Sequence, residues 1–239
     1  MRFLQRLNPA RPVDRELFLV SSVRGKTALH LGCVDGGLLQ ERIDTRTLLH
    51  DRLNQSAREL WGLDIDEEGL HVLEKRGFKR LHCGSAEEPP AAIPRRYFDV
   101  IIAGEIIEHV RNVGLFLDSA ASLLREDGCL IITTPNALRF YNPFPAMMGF
   151  ELVHPDHLAW FSPHTLVQAI TRAALAVEAI HTYTNSPRMR VDGTMSSLQR
   201  LRRRTANVVI DATHRLCLKV SPHWADGIIV AARPETIHE

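Results

Sequence analysis

Between residue 26 and about residue 182, apolar runs of strand length alternate with segments whose apolar residues recur every three or four positions. This alternation constrains the chain more than any other feature, because βα repeats close into a mainly parallel sheet with helices on both faces. Thr27–Leu31, Leu60–Leu63, Lys79–Cys83, Phe98–Ala103, Cys129–Thr133, Ala176–Thr182 and Gly227–Ala232 read as strands. Phe98–Ala103 (FDVIIA) has no polar alternation and reads as buried on both faces. Between the strands, Thr47–Leu60 carries Leu49, Leu53, Ala57 and Leu60 at helical spacing. Glu67–Arg76 is a short helix that Gly77 stops, Gly114–Arg125 follows after a Pro-rich loop, and His164–Leu175 is the last helix of the repeat. Glu126-Asp127-Gly128 reads as a turn into the fifth strand.

Two segments depart from the repeat within a single domain, 1–239. Residues 138–163 hold six aromatic residues and four prolines. A segment of that length after a central strand reads as a lid over a ligand site or as a loop with its own small core, and the lid is the reading taken. Residues 195–219 read as an amphipathic helix with Leu198, Leu201, Val208, Val209, Ala212 and Leu216 on one stripe. Lysine and arginine (29) nearly balance the acids (28), which argues against a general nucleic-acid binder. No apolar run reaches the roughly 20 residues of a membrane span, and the basic N-terminus lacks the apolar stretch of a secretory signal. Cys33, Cys83, Cys129 and Cys217 make no metal-ligand spacing. The expectation is a cytoplasmic protein.

In open α/β sheets ligands bind beyond the carboxyl ends of the strands. The first strand runs into Gly32-Cys33-Val34-Asp35-Gly36-Gly37, where glycines let the backbone approach a ligand. The second ends at Asp64, a carboxylate placed to accept a ribose diol. The third leads to Gly84-Ser85-Ala86. These stretches, LHLGCVDGG, GLDID and CGSAEE, together with FDVIIAGEIIEHV, LLREDGCLIITTPN and HPDHLAWFSPHTL, resemble the class I S-adenosylmethionine-dependent methyltransferases. The likeness is to the broad group of ubiquinone-biosynthesis O-methyltransferases and sugar or natural-product methyltransferases. It implies a Rossmann-like, seven-stranded, mostly parallel sheet whose last strand is antiparallel. It also implies S-adenosylmethionine as cofactor: Gly32, Cys33 and Gly36 by the methionine part, Asp64 on the ribose, Ile65 on adenine, Ser85 and Ala86 by the adenine amine, and Gly104 and Glu105 near the sulfonium. His30 and Val34 stand where the family has an acid and a second glycine, and Ser85 where it commonly has an aspartate. The separation of Gly32 from Asp64 exceeds the roughly 20 residues of a dinucleotide fingerprint, with the surplus expected to loop out around Gln40–Thr45. The absence of GxGxxG after the first strand argues against a nicotinamide enzyme.

Methyl transfer asks the protein to align an acceptor and take its proton. His109, after the fourth strand, is a candidate base because imidazole titrates near neutrality; Glu108 and His157 join it as candidate catalytic residues. Glu105, Glu108, His109 and His157 also resemble the metal-binding set of small-RNA 2′-O-methyltransferases, and mixed imidazole and carboxylate ligands suit Mn, Zn or Fe. His154 and His164 read as structural. Arg188, Arg190, Arg200, Arg202, Arg203 and Arg204 read as a solvated face or a grip on the phosphate of an acceptor or headgroup. The function expected is methyl transfer to a hydroxyl, before an amine or carbon, of a small molecule or sugar. The alternatives are a metal-dependent RNA 2′-O-methyltransferase and a non-catalytic scaffold of the same fold. Acceptor, oligomeric state and any bound metal stay open at this level.

Overall fold

The computed structural model describes residues 4–185 and 195–235. In chain order the strands are β1 (Arg11–Pro12), β2 (Thr27–Leu31), β3 (Glu59–Asp64), β4 (Leu81–Cys83), β5 (Phe98–Gly104), β6 (Leu124–Pro135), β7 (Leu175–Tyr183) and β8 (Gly227–Pro234). They form one sheet in the order β1-β7-β8-β6-β5-β2-β3-β4, in which β8 alone is antiparallel to its neighbours. The expected seven strands are all present. The eighth, β1, is a two-residue edge pairing of Arg11 and Pro12 with His181 and Thr182; it carries no apolar alternation by which the sequence could announce it.

Helices α1 (Arg15–Ser22), α2 (Leu39–Asp44), α3 (Leu49–Asn54), α4 (Glu67–Lys75), α5 (Val113–Leu123), α6 (Pro143–Met147), α7 (Pro163–Thr171) and α8 (Ser197–Val220) complete the chain. Strand pleating decides which face each residue serves. Leu29, Leu31, Ile101, Ala103, Leu130 and Ile132 pack with Phe116, Leu117 and Ala120 of α5 and with Leu166 and Ile170 of α7. The alternate residues Ala28, Val100, Ile102 and Ile131 pack with Leu19 of α1 and Leu53 of α3. Both faces of the central strands are thus covered, which is why FDVIIA shows no polar alternation.

Three sequence expectations are corrected. The helix expected over Thr47–Leu60 stops at Asn54, because Leu60 belongs to β3, paired with Ala28. The surplus before Asp64 does not loop out; Leu39–Asp44 folds into α2, whose Leu39 packs with Cys33, Leu48 and Leu70. Glu126-Asp127-Gly128 is no free turn but a bulge inside β6, lying between the pairings of Leu124 with Phe98 and Cys129 with Val100.

β2, β3, β4, β5 and β6 run parallel, so their carboxyl ends share one edge. From β2 the chain builds outward through β3 and β4, then returns to place β5 on the other side of β2. That reversal is the switch point where a crevice opens, and Gly32 and Gly104 lie on its two sides.

Candidate active site

At the end of β2, Gly32 takes a φ of +73° and donates its N–H to the Leu63 carbonyl at 2.8 Å. A side chain there would strain the backbone and stand 3.3 Å from Cδ1 of Ile106 across the crevice. The next residue turns inward. The Cys33 side chain is buried among Val34, Leu48, Leu70 and Leu73, leaving its backbone toward the crevice, and burial pushes its thiol pKa up. Asp64, at the tip of β3, is held by two backbone donors, Val34 N–H to Oδ2 at 2.8 Å and Asp66 N–H to Oδ1 at 3.0 Å. A carboxylate fixed in this way retains lone pairs for a diol. Beside it Ile65, a large apolar side chain, is 77% exposed, as a platform for a flat apolar ligand surface would be. Gly36 opens a short 3₁₀ turn and, with φ +50°, has open space where a Cβ would be. Ser85 Oγ accepts the Glu87 N–H at 3.1 Å, closing the loop after β4, and Ala86 is buried within it.

His30, which replaces an acid in the pattern, is buried beneath this edge, its Nε2 4.0 Å from the place a Gly104 Cβ would occupy. Its Nδ1 lies 3.2 Å from Nδ1 of His50 in α3, the rings stack, and both are buried. Burial lowers both pKa values, that of His50 to about 4. The pair is therefore neutral, one imidazole donating to the other.

On the β5 side, Glu105 follows Gly104 with a φ of +56° and accepts a 2.6 Å hydrogen bond from the Tyr183 hydroxyl. Burial, and then the Glu105 charge, raise the Tyr183 pKa, so the phenol remains a donor. The ring reaches that position by crossing β8 where there is no side chain. A Cβ on Gly227 would stand 2.0 Å from Cζ of Tyr183. Arg15 of α1 completes this corner: its Nε donates to Thr133 Oγ1 at 3.1 Å, and its guanidinium lies 5.6 Å from the Tyr183 ring. One guanidinium nitrogen is 3.1 Å from the place a Gly104 Cβ would occupy. Sequence reasoning missed Arg15, Thr133 and Tyr183. They come from three distant elements, and no local motif marks them.

The loop after β5 gathers the remaining candidates. Glu108, His109 and His157 bring one ligand atom each within 4.8 Å of one another. Glu108 is buried; Thr134 Oγ1 donates to its Oε2 at 2.9 Å, whereas its Oε1 has no partner among the described residues. Burial pushes its pKa up to about 7, against the opposing pull of its hydrogen bonds. His109 is exposed, its Nδ1 3.2 Å from the Asp156 carbonyl, and its ring meets that of His157 edge-on at 4.7 Å. Nδ1 of His157 is buried with no partner among the described residues, and burial lowers the ring's pKa, with His109 adding to the effect. Three of the four residues of the suggested metal set therefore converge, while Glu105 is engaged by Tyr183. His154 lies at the cluster's margin, its Nδ1 accepting the Asp156 N–H at 3.3 Å, and His164 lies in the first turn of α7.

Residues 138–163 run across this edge. Leu158 and Ala159 donate their N–H groups to the Glu108 carbonyl (2.8 and 3.2 Å), and Ala137 donates to Phe161 (2.8 Å). Arg139 lies over the rings of Tyr141 and Trp160. Phe144, Met147, Met148 and Phe150, on and beside α6, are exposed. Of the arginines noted in the sequence, Arg188 and Arg190 lie outside the described residues, and Arg200, Arg202, Arg203 and Arg204 lie on α8.

Residues 3–180, about three-quarters of the chain, match the family described as Methyltransferase domain. With the strand order and the crevice at the β2/β5 switch, this places the chain in the class I S-adenosylmethionine-dependent methyltransferases. It is similar to the ubiquinone biosynthesis O-methyltransferases of Bradyrhizobium diazoefficiens (26% identical over 166 residues) and Azorhizobium caulinodans (32% over 171). These matches cover 63% and 65% of this chain and 59% and 57% of the relatives, so the chain spans less than two thirds of their length. A SAM-dependent methyltransferase from Archaeoglobus fulgidus shares the fold over 92% of this chain and 94% of its own, with a TM-score of 0.57 at 18% identity. No described helix is long and apolar enough to cross a membrane.

Proposed function

We propose that this chain methylates a hydroxyl of a small molecule or sugar, with S-adenosylmethionine held at the β2, β3 and β5 tips. The observation that carries the reading is Asp64, fixed by two backbone donors beside the open Gly32 turn and the exposed Ile65. In the proposed pose Asp64 accepts the ribose hydroxyls, Ile65 packs on adenine, and Ser85 and Ala86 border the adenine amine. Gly32, Gly36 and the Cys33 backbone flank the methionine chain, beside Gly104 and Glu105. Arg15, at the β5 tip, supplies a cation for the amino-acid carboxylate. When bound, the cofactor supplies an electrophilic methyl carbon on sulfur. The protein's part is to align the acceptor oxygen in line with that carbon, exclude water with residues 138–163 and take the hydroxyl proton. Glu108, poised near neutrality, and His109, exposed beside it, are the groups placed for the proton, with His157 packed against His109.

A divalent ion is a second occupant supported by the same cluster, since Glu108 Oε1 and His157 Nδ1 are buried and unpartnered in the described structure. An ion there would orient the acceptor oxygen and favour its deprotonated form. Titration calorimetry of S-adenosylmethionine and S-adenosylhomocysteine, with and without Mn²⁺ or Zn²⁺, tests both readings. Micromolar binding that Asp64→Ala weakens by about tenfold or more supports the cofactor pose, at roughly the worth of paired hydrogen bonds to a charged group. Unchanged binding in that variant removes the ribose assignment. Metal binding abolished by His157→Ala supports the ion, and no heat with metal rejects it.

A further inference from the structure

The apolar stripe of α8 faces outward. The helix is 24 residues long, about 36 Å at 1.5 Å per residue. Its inward face places His214, buried and stacked on Phe140 at a centroid distance of 4.9 Å, with Ile210 and Cys217 against the body. The opposite face carries Leu198, Leu201, Val208, Val209, Leu216 and Val220, each between 58% and 74% exposed. At 3.6 residues per turn, Arg202 borders one edge of this stripe, Arg204 and Arg215 border the other, and Lys219 stands near its end. The only acid in the helix, Asp211, is partly buried.

We infer that α8 lies flat on an anionic lipid surface, its apolar stripe in the acyl boundary and its arginines among the headgroup phosphates. An apolar face rimmed by cations is the composition of an interfacial helix, and guanidinium matches phosphate geometry. Charge selects this occupant over a second copy of the chain. Two-fold pairing of the stripes would bring the arginine rims of both copies together, with one acid per helix, the half-buried Asp211 beside Arg215, to offset Arg202, Arg204, Arg215 and Lys219. A nucleic-acid backbone would leave the apolar stripe without a partner. The location agrees: β7 ends at Tyr183 and β8 begins at Gly227, paired with each other at the same sheet edge as Glu105. The helix thus rises from the edge that holds the candidate site, joined to the segment over that site by the Phe140–His214 stack.

The test is flotation of the full chain with phosphatidylcholine vesicles and with vesicles of phosphatidylcholine mixed with phosphatidylglycerol. Binding is expected to the mixed vesicles and to be weaker by about tenfold or more for phosphatidylcholine alone, given several cations near the surface. Leu201→Gln/Val208→Gln/Leu216→Gln should lower binding to mixed vesicles by about tenfold or more. Arg204→Gln/Arg215→Gln should lower it and flatten its salt dependence. All five positions are exposed, so melting temperature and cofactor affinity should stay unchanged in both variants. Failure of the wild type to float, equal binding to both vesicle types, or undiminished binding by the triple variant overturns the inference. So does a wild-type dimer, seen by light scattering, that the triple variant dissolves.

Discussion

Glu108 shows how one side chain is tuned by where the fold puts it. A carboxyl at an exposed helix start would titrate near 4.5; burial against the sheet edge pushes it up to about 7. As a proton acceptor it works only when ionised, so turnover should rise with pH through about 7, and Glu108→Gln should flatten that rise. The same shift has a stability consequence of opposite sign. The folded protein holds the Glu108 proton between pH 4.5 and about 7 while the unfolded chain releases it, so stability from this group falls as pH rises through that window. At pH 8 Glu108→Gln should therefore melt higher, by about 1–3 kcal/mol of unfolding free energy. A variant that melts lower at pH 8 would mean the carboxylate is compensated when charged, as a bound cation would do. His109→Ala separates the two proton acceptors. It should lower turnover while leaving cofactor affinity intact, and unchanged turnover would leave Glu108 as the base.

At the scale of elements, the crevice depends on β8 as much as on the strands whose tips line it. Tyr183 reaches Glu105 because Gly227 leaves its ring room, and a Cβ there would overlap Cζ. Gly227→Ala should destabilise the fold by about 1–3 kcal/mol or more, as overpacking in a closed core does. Thermal unfolding checks this, with cofactor affinity as a second readout, since displacing Tyr183 releases Glu105. The proposed lid, residues 138–163, can be tested as an element. Besides its anchors at Glu108, Phe161 and the Phe140–His214 stack, its middle carries exposed side chains and no buried core residue. Deleting residues 140–155 should abolish acceptor turnover while cofactor binding stays measurable; loss of both would show that this segment supports the core.

For the whole molecule, the interior holds a charge-sensitive point beneath the crevice, beside Gly104. The stacked His30–His50 pair is neutral because both rings are buried, and the unfolded chain gives them ordinary imidazole pKa values. A group with a lowered folded pKa loses stability as protons bind the unfolded state first. Melting temperature should therefore fall as pH drops from about 6.5 toward 4, with up to about 3 kcal/mol at stake in His50 alone. A flat melting profile across that range would place a compensating acid beside the pair. What the sequence alone determined was the sheet, its strand tips and the order of residues along them. βα periodicity, the Gly32 turn, Asp64 at a strand end and FDVIIA are local patterns, and a parallel sheet carries such ends to one edge whatever fills the helices. Helix boundaries around Leu60, the bulge at Gly128 and the two-residue β1 were decided by pairing partners distant in the chain. So was the corner of Arg15, Thr133 and Tyr183, in which no residue has a sequence neighbour with the same task. The stripe on α8 was legible as periodicity, but a periodic pattern marks only which residues share a face. Whether that face turns to the core or away from it depends on what the rest of the chain leaves uncovered, and only the tertiary structure shows that it turns outward.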